Sequence, residues 1–380
     1  MKDISIKPIE YVSKIKPYVP GKPIEELERE LGIKGSIKLA SNENPLGPSK
    51  KVLTALKEFL LNGHQLSRYP DGNGYYLKNA IAKKLSTALH PHLLRGDNRG
   101  VSLDEIILGN GSNELIDLAV RTFMGQGDNA IIGKPSFVAY SIAVQSVGGI
   151  TIEVPLKDYR HDLMTMADAI TESTKIVFIA NPNNPTGAIN KKDEFSRFME
   201  NIPKGVLVVM DEAYYEYVGD SEYPDTFRYF MEGHDILILR TFSKAYGLAS
   251  LRIGYGIARK DIIEEMNKIR EPFNTNTMAQ ISALNALADK EHLEKSININ
   301  KQGKEFLYKE LNSIGIPYVP TEANFIYMPL NVESRIIYEA LLKMGVIVRP
   351  VGPKEIRVTI GLPEENKRFI EALKTVISEQ

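Results

Sequence analysis

The sequence predicts an α/β protein with a mostly parallel, seven-stranded sheet and a second, smaller α+β domain. Seven short apolar runs rich in Val and Ile recur between Glu105 and Ala258, and amphipathic segments separate several of them. After about Lys260, long helical patterns alternate with shorter strands. Strands and helices in series, as in the first region, are typical of a parallel sheet with helices on both faces.

The seven predicted strands are mostly apolar on consecutive residues, which is typical of strands that are buried on both faces. In chain order they are EIILG, NAIIG, ITIEV, KIVFIAN, VLVVMDE, DILILR and RIGYGIA. Between them, the segments NELIDLAVRTFM and KDEFSRFMEN are predicted helices, the first with an apolar stripe at helical spacing. This alternation predicts the central sheet.

We expect a large domain over residues 41–265 and a small domain built from residues 1–40 and 266–380. In the second part, the helical patterns KQGKEFLYKELNSIG and VESRIIYEALLKMG alternate with the predicted strands NFIYMPL, VIVRPV and EIRVTIG. The first 40 residues carry no strand pattern of their own, and we expect them to pack against the small domain.

The composition limits the kinds of partner. The 380 residues are 43% hydrophobic, enough for a large core, and 47 Lys and Arg nearly cancel 48 Asp and Glu. A formal net charge of −1 gives no electrostatic reason to expect a nucleic acid or a membrane surface as partner. We therefore expect small-molecule substrates.

Several further classes are excluded by what the sequence lacks. Cysteine is absent, which excludes disulfides and thiolate chemistry and suits a reducing cytoplasm. The N-terminus carries no apolar secretory signal, and no apolar run approaches the roughly 18 residues of a membrane span. Among the histidines only His90 and His92 lie close together, without matching carboxylates, so we expect no metal site.

Polar residues collect where predicted strands end, which is where open parallel sheets bind ligands. Gly111, Ser112 and Asn113 lie between a strand and a helix, so backbone N–H groups there are available for a phosphate. The alternative of a dinucleotide-binding motif fits less well, because Glu114 takes the place of its third glycine and no acidic residue ends the next strand. The P-loop tripeptide is also absent.

Three further strand ends carry chemically distinctive residues. Asn184 lies in NPNNPTG, which taken alone is equally typical of a plain Asn-Pro turn. Asp211 follows five apolar residues, with Tyr214 three residues later, and a buried carboxylate of this kind needs a cationic or donor partner. Lys244 lies beside hydroxyl residues in TFSKAYGLASLR, where partial burial and a nearby arginine favour the neutral amine of a Schiff-base lysine.

One cofactor matches all of these groups. Pyridoxal phosphate has an aldehyde for Lys244, a pyridine nitrogen for Asp211 and a phosphate for the cradle at Ser112. The chain also resembles the fold-type-I pyridoxal-phosphate aminotransferases, most closely the histidinol-phosphate aminotransferases. The resemblance runs over nearly the whole chain, through SNENPLGPS, RYPDGNGYYLKNAIA, LGNGSNELID, NPNNPTG, DEAYYEY, TFSKAYGLASLRIGY and VIVRPVGPKEIRVTIG in this order.

The resemblance implies roles for individual residues. Lys244 would form the Schiff base and move the substrate proton, and Asp211 would hold the pyridine nitrogen protonated. Asn184 and Tyr214 would contact the oxygen on the cofactor ring, and Phe137 would stack on the ring face. The cofactor phosphate would be bound by Gly111, Ser112, Asn113, Thr241, Ser243 and Arg252, with Tyr69 reaching it from the other subunit of a homodimer.

The substrate would be bound by a second group of residues. The resemblance implies that Arg357 takes the anionic group of the substrate, since a guanidinium pairs well with a carboxylate or phosphate. Arg349 would be the second arginine of the histidinol-phosphate branch, only seven residues away from Arg357. Tyr18 would close over the substrate, and Asn42 belongs to the same group. Taken alone, a mid-strand arginine such as Arg357 is also typical of a surface salt bridge.

The implied reaction is transamination of L-histidinol phosphate with 2-oxoglutarate, giving imidazole-acetol phosphate and L-glutamate in histidine biosynthesis. Two alternatives within this fold are an aromatic amino-acid aminotransferase and an O-phosphothreonine decarboxylase. A pyridoxal-phosphate-binding regulator would need a nucleic-acid-binding module, for which the chain has neither a spare segment nor a basic patch.

Overall fold

The computed structural model describes residues 6–88 and 100–378. The strands among these residues are β1 (Ile37–Lys38), β2 (Ile106–Gly109), β3 (Asn129–Lys134), β4 (Ile150–Pro155), β5 (Thr174–Ala180), β6 (Leu207–Asp211), β7 (Ile236–Thr241), β8 (Gly254–Ile257), β9 (Phe325–Pro329), β10 (Val346–Ile347), β11 (Arg349–Pro350) and β12 (Glu355–Thr359). The α-helices are α1 (Glu10–Ser13), α2 (Ile24–Leu31), α3 (Lys50–Leu61), α4 (Tyr75–Ala88), α5 (Ser112–Phe123), α6 (Ala139–Ser146), α7 (Leu163–Asp168), α8 (Lys192–Glu200), α9 (Thr226–Met231), α10 (Lys260–Ile269), α11 (Thr277–Leu287), α12 (Lys290–Ser313), α13 (Ser334–Lys343) and α14 (Pro363–Ser378).

The central sheet has seven strands in the order β2-β8-β7-β6-β5-β3-β4. Strands β4, β3, β5, β6 and β7 run parallel to one another, whereas β8 lies antiparallel between β2 and β7. Each of the seven apolar runs forms one of these strands. The predicted α/β fold with a mostly parallel, seven-stranded sheet is confirmed.

Burial on both faces explains why the strands are apolar on consecutive residues. In β5, Val177 and Ile179 pack on one side of the sheet with helix α8, and Ile176 and Phe178 pack on the other side with α5 and α6. Successive side chains of a strand point to opposite faces, so a sheet covered twice needs apolar residues at every position. The core therefore fixes the sheet, and with it the positions of the strand ends.

Two small sheets lie outside the central one. Strands β9, β12 and β11 form an antiparallel sheet, while β10 pairs in parallel with β1. The run VIVRPV was predicted as one strand, but it divides at Val348, so that its first part pairs with residues 37–38 and its second with β12. The N-terminal segment thus contributes a short strand that its sequence pattern does not predict.

The boundary between the two predicted domains remains a proposal. Ala279, Ala283 and Ala286 of α11 pack in the same apolar cluster as the central sheet, although the predicted large domain ends at residue 265. A separate cluster holds Leu307, Ile326 and Phe369 of the small domain. We therefore propose that the large domain extends through α11, with the small domain starting at α12.

Candidate active site

A cavity of about 510 Å³ lies where the carboxyl ends of β5, β6 and β7 meet the N-terminus of α5 and the three-stranded sheet β11-β12-β9. It follows the rule that open α/β sheets bind ligands at the carboxyl ends of their strands. Most of the predicted site residues line it, namely Tyr18, Asn42, Ser112, Asn113, Phe137, Asn184, Asp211, Tyr214, Thr241, Ser243, Lys244, Arg252, Arg349 and Arg357. Gly111 and Tyr69 do not line it.

The N-terminus of α5 forms a cradle for an anion. Gly111 precedes the helix with a φ of 72°, and no side chain of the described residues caps the free N–H groups of the first turn. A Cβ at Gly111 would approach the Arg252 guanidinium to 2.7 Å, so glycine keeps this space open. Helix N-termini favour anions through their free N–H groups and their dipole.

Hydroxyl groups and Arg252 complete this cradle. Thr241 Oγ1 donates to Ser243 Oγ at 3.0 Å, and Arg252 Nη1 donates to the same oxygen at 3.3 Å. The other hydrogen bonds of Arg252 within residues 6–88 and 100–378 go to the backbone carbonyls of Ala249 and Asn110 and not to a carboxylate, which leaves its charge available for a ligand. The donor set fits a phosphate group.

Asp211 is a buried carboxylate at the end of β6, with only 6% of its surface exposed. Its Oδ2 accepts a hydrogen bond from the Tyr140 hydroxyl at 2.7 Å, and its Oδ1 accepts from the Ala213 N–H at 3.1 Å. Burial raises the pKa of Asp211, while these two hydrogen bonds oppose the shift. A cationic donor in the cavity would stabilise the charge, so the site fits a protonated ring nitrogen.

Lys244 lies three residues beyond the end of β7 and lines the same cavity as Asp211. Its Nζ donates to the Ser41 carbonyl at 3.1 Å and lies 5.7 Å from the centre of the Tyr214 ring. Burial, followed by the positive charge of Arg357, lowers the pKa of Lys244 to about 8. The lowered pKa increases the fraction of neutral amine near neutral pH, which is the form that a Schiff-base lysine requires.

Asn42 connects the N-terminal segment to the turn after β6 and to strand β12. Its Nδ2 donates to the Tyr214 hydroxyl at 2.9 Å, and its backbone N–H donates to Thr359 Oγ1 at 2.9 Å. The residue is buried with a φ of 55°, a left-handed conformation that Asn tolerates better than most residues. Asn42 thereby fixes the hydroxyl of Tyr214 at the wall of the cavity.

Arg357 is a buried cation without an acidic partner among the residues that the structure describes. Its Nη1 donates to Asn184 Oδ1 at 2.5 Å and its Nη2 to the Ala40 carbonyl at 2.7 Å, whereas Nε is buried with no hydrogen-bond partner among the described residues. Burial lowers the pKa of Arg357. Because only 9% of the residue is exposed and no carboxylate pairs with it in the described chain, the surface salt-bridge interpretation is wrong.

Arg349 lies directly opposite Arg357 in the register of β11 and β12. The short connection between them therefore forms a tight antiparallel reversal that keeps both guanidinium groups at the cavity. Arg349 Nη2 donates to the Val19 carbonyl at 2.6 Å, and its guanidinium lies 5.5 Å from the ring centre of Tyr18. Two cations at one end of the cavity would suit an anionic substrate group.

The two aromatic residues predicted at the cofactor lie in different settings. Phe137 lines the cavity and packs edge-on against Tyr140, with ring centres 5.6 Å apart. Tyr69 is 82% exposed and stacks on Phe273 at 4.7 Å, away from the cavity of its own chain. An exposed stacked pair is compatible with a contact to a second subunit.

Two contributors to the site were not predicted. Tyr140 contacts Asp211, but in KPSFVAY only its spacing of three residues from Phe137 places it on the same helical face. Ser41 contacts Lys244 through its carbonyl oxygen, a contact that carries no side-chain signal.

The sequence predicts neither a metal site nor a membrane span. No three His, Asp or Glu side chains in the described ranges converge as a metal site would require, and His90 and His92 lie outside those ranges. No helix within the described residues is both long and apolar enough to cross a membrane.

A buried lysine with a lowered pKa, a buried aspartate and an anion cradle at the strand ends of such a sheet define a pyridoxal-phosphate-dependent enzyme. Comparisons with known proteins agree. The family described as aminotransferase class I and II matches residues 34–373. A histidinol-phosphate aminotransferase of Moorella thermoacetica is 46% identical over 374 residues, covering 97% of this chain and 92% of that protein. That of Caldicellulosiruptor saccharolyticus is 46% identical over 372 residues, covering 97% and 99%.

A solved structure gives the same result. The histidinol-phosphate aminotransferase from Sinorhizobium meliloti, solved in complex with pyridoxal-5'-phosphate, aligns with a TM-score of 0.87 and 26% identity, over 100% of this chain and 98% of that one. The chain belongs to the aminotransferase class I and II family. It is a pyridoxal-phosphate-dependent aminotransferase, so the predicted enzyme class and cofactor are confirmed.

Proposed function

We propose that the chain transfers the amino group of L-histidinol phosphate to 2-oxoglutarate, giving imidazole-acetol phosphate and L-glutamate in histidine biosynthesis. The observation that carries this proposal is the pair Arg349 and Arg357, which lie opposite each other at the cavity without a carboxylate partner in the described chain. Two guanidinium groups suit a dianionic phosphate better than a single carboxylate. The names of the relatives with 46% identity support the same substrate.

The residues around the cavity would hold the cofactor at three points. The phosphate would lie at the N-terminus of α5 with Ser243 and Arg252, the ring nitrogen would face Asp211, and Phe137 would cover the ring. Asn184 and Tyr214 would contact the ring oxygen. When bound, pyridoxal phosphate supplies an aldehyde for the amine and an electron-withdrawing ring.

Lys244 would act as the base. Its pKa of about 8 leaves part of the amine neutral near neutral pH, so Nζ can accept the proton that leaves the α-carbon of the substrate. The Ser41 carbonyl accepts from Nζ and limits the directions in which the amine points. Tyr18 and Val19, held by Arg349, would cover the substrate and exclude water.

We also propose a homodimer in which Tyr69 completes the phosphate site of the other subunit. The exposed stack of Tyr69 on Phe273 supports this arrangement. Mixing two inactive variants, Tyr69→Ala and Lys244→Ala, should restore part of the activity through hybrid dimers, because one of the two sites then receives both native residues. An active monomer in sedimentation would contradict the proposal.

The proposed location is the cytoplasm, supported by the absence of cysteine.

The substrate is tested by a half-reaction screen. The loss of the visible absorbance of the bound cofactor is followed with histidinol phosphate, phosphothreonine, phenylalanine and glutamate in turn. Histidinol phosphate should give the largest second-order rate constant, with no release of carbon dioxide. A tenfold faster reaction with phenylalanine would point to the aromatic aminotransferase, and carbon dioxide from phosphothreonine to the decarboxylase.

A further inference from the structure

Tyr140 is a buried tyrosine in the wall of the cavity, on its cofactor side. It lies on α6, its exposed fraction is 0%, and its ring stacks on Phe178 with the ring centres 4.7 Å apart. Its other side meets the edge of Phe137 at an interplanar angle of 89°. Because rings on two sides restrict it, the direction of the Tyr140 hydroxyl is fixed by packing.

This hydroxyl points at Asp211 and donates to its Oδ2 at 2.7 Å. A carboxylate oxygen only accepts, so the phenol proton must lie between the two oxygens. The Ala213 N–H holds the other oxygen, which leaves the remaining acceptor positions of Asp211 for a donor in the cavity. Tyr140 therefore contacts both the carboxylate and Phe137, the two groups proposed to hold the cofactor ring.

We propose that Tyr140 is a positioning residue that orients the carboxylate of Asp211 toward the ring nitrogen and holds Phe137 against the ring face. This inference rests on the proposed roles of Asp211 and Phe137. The hydroxyl acts on the charge of the carboxylate, and the ring acts on the position of Phe137. The two contributions are separable, since phenylalanine at position 140 keeps the ring and removes only the hydroxyl.

The electrostatic surroundings favour this role. Burial raises the pKa of Asp211, and the hydrogen bond from Tyr140 is the largest influence in the opposite direction. Glu212 raises the pKa of Asp211 further, while Lys244 lowers it. Burial and the charge of Asp211 keep the pKa of Tyr140 far above its usual range, so the phenol remains a donor. Without the hydroxyl, Asp211 would hold its negative charge less firmly.

The first test compares Tyr140→Phe with Tyr223→Phe. Tyr223 is a matched control, because its hydroxyl also lies near the strand ends but donates to the Asn181 carbonyl at 2.5 Å. In apoprotein titrated with pyridoxal phosphate, Tyr140→Phe should weaken cofactor affinity roughly tenfold to a hundredfold, the range for one charge-assisted hydrogen bond. Tyr223→Phe should leave the affinity within about twofold. Equal affinities of the two variants would overturn the proposal.

A spectroscopic readout separates positioning from a general loss of stability. In the reconstituted Tyr140→Phe protein, the visible absorbance of the bound cofactor should change with pH around a higher midpoint. The reason is that a weaker positive charge at the ring nitrogen opposes protonation of the nitrogen that joins Lys244 to the cofactor less strongly. 3,5-Difluorotyrosine at position 140, which has a more acidic phenol and is a stronger donor, should move the midpoint the other way. An unchanged midpoint in both proteins would contradict the proposal.

The final arm uses Asp211→Asn as a second background. If Tyr140 acts through the carboxylate, adding Tyr140→Phe to Asp211→Asn should cause little further loss of cofactor affinity. Equal losses in both backgrounds would overturn the inference and leave the role of Asp211 intact. Unchanged affinity and turnover in Asp211→Asn itself would instead refute the proposed role of Asp211, and the two failures are thereby distinguished.

Discussion

The cavity has two halves that are built in different ways. The cofactor half, formed by Ser112, Asp211, Ser243, Lys244 and Arg252, lies at strand ends of the central sheet or at the start of α5. The substrate half is formed by Tyr18, Arg349 and Arg357. It combines the three-stranded sheet β11-β12-β9 with the N-terminal arm, residues 14–23, which form neither helix nor strand. Asp211 is 6% exposed, whereas Tyr18 is 55% exposed.

This difference predicts different consequences of mutation. The cofactor half is fixed by the core, and every substrate depends on it, so changes there should affect both half-reactions equally. The substrate half meets the parts in which the substrates differ. Changes there should weaken the binding of one or both substrates and leave cofactor binding nearly intact. The following experiments test this division, beginning with the largest expected effect.

Lys244→Ala should abolish turnover. Loss of the proton-transferring group alone should reduce the rate roughly 10²–10⁴-fold, and the variant should hold no cofactor that borohydride fixes to the protein. The measurement combines the absorbance change on reduction with mass spectrometry of the reduced protein. Lys78→Ala is a matched control, because burial also lowers the pKa of Lys78 to about 8, yet it lies on α4 away from the cavity. Full labelling of Lys244→Ala at another lysine would refute the assignment.

Asp211→Asn keeps the shape of the side chain and removes its charge. Both half-reactions should slow by roughly 10²–10³-fold, the range for losing one preorganised electrostatic contact in an active site. Single-turnover rates with histidinol phosphate and with glutamate provide the measurement, and Asp220→Asn, at a partly exposed position that does not line the cavity, serves as the control. A loss confined to one substrate would break the proposed division between the halves.

Variants of Arg349 and Arg357 test the substrate half of the cavity. Arg349→Ala should lower kcat/KM for histidinol phosphate about tenfold to a hundredfold, since one charge-assisted contact contributes about 1.5–3 kcal/mol, and should affect glutamate less. Arg357→Ala should damage both half-reactions. Cofactor affinity, measured by titration of the apoprotein, should stay within about threefold of the wild type in both variants. Equal losses for both substrates in Arg349→Ala would remove its proposed role in phosphate selectivity.

The cofactor half was more predictable from sequence than the substrate half. Asp211 and Lys244 directly follow apolar strands, so the sheet rule brings them together without knowledge of long-range packing. The pairing of Arg349 with Arg357 depends on a division at Val348, because one apolar run supplies strands to two sheets. The carbonyl of Ser41 and the hydroxyl of Tyr140 reach the site through tertiary contacts across 203 and 71 residues. Periodicity does not encode such contacts.

The lowered pKa of Lys244 predicts a stability effect in the apoprotein. The folded-state pKa of about 8 lies below the ordinary value of 10.5, so the folded chain binds fewer protons between these pH values. The stability contribution of Lys244 therefore rises with pH across this window and is least favourable below it. Lys244→Met should be more stable than wild-type apoprotein at pH 7, by at most about 3 kcal/mol, and most of this advantage should be lost as the pH rises from about 8 to about 10.

Calorimetric Tm values of both apoproteins at pH 7 and pH 10 provide the measurement. Lys367→Met, at an exposed position of α14, is the control and should show the pH dependence of the wild type. A constant difference between Lys244→Met and wild type at both pH values would show that the amine is not destabilised by burial.

The smallest expected effect concerns Tyr18. Its ring lies 5.5 Å from the Arg349 guanidinium, and an exposed cation–π contact contributes about 0.5–1 kcal/mol. Tyr18→Leu should therefore lower kcat/KM for histidinol phosphate only about two- to fivefold, mainly through KM, because the arm would orient Arg349 less well. Tyr18→Phe keeps the ring and should retain most of this contribution. Stopped-flow half-reactions with both variants resolve the difference. If Tyr18→Leu weakened cofactor binding as much as substrate binding, the N-terminal arm would belong to both halves, and the division between them would have to be abandoned.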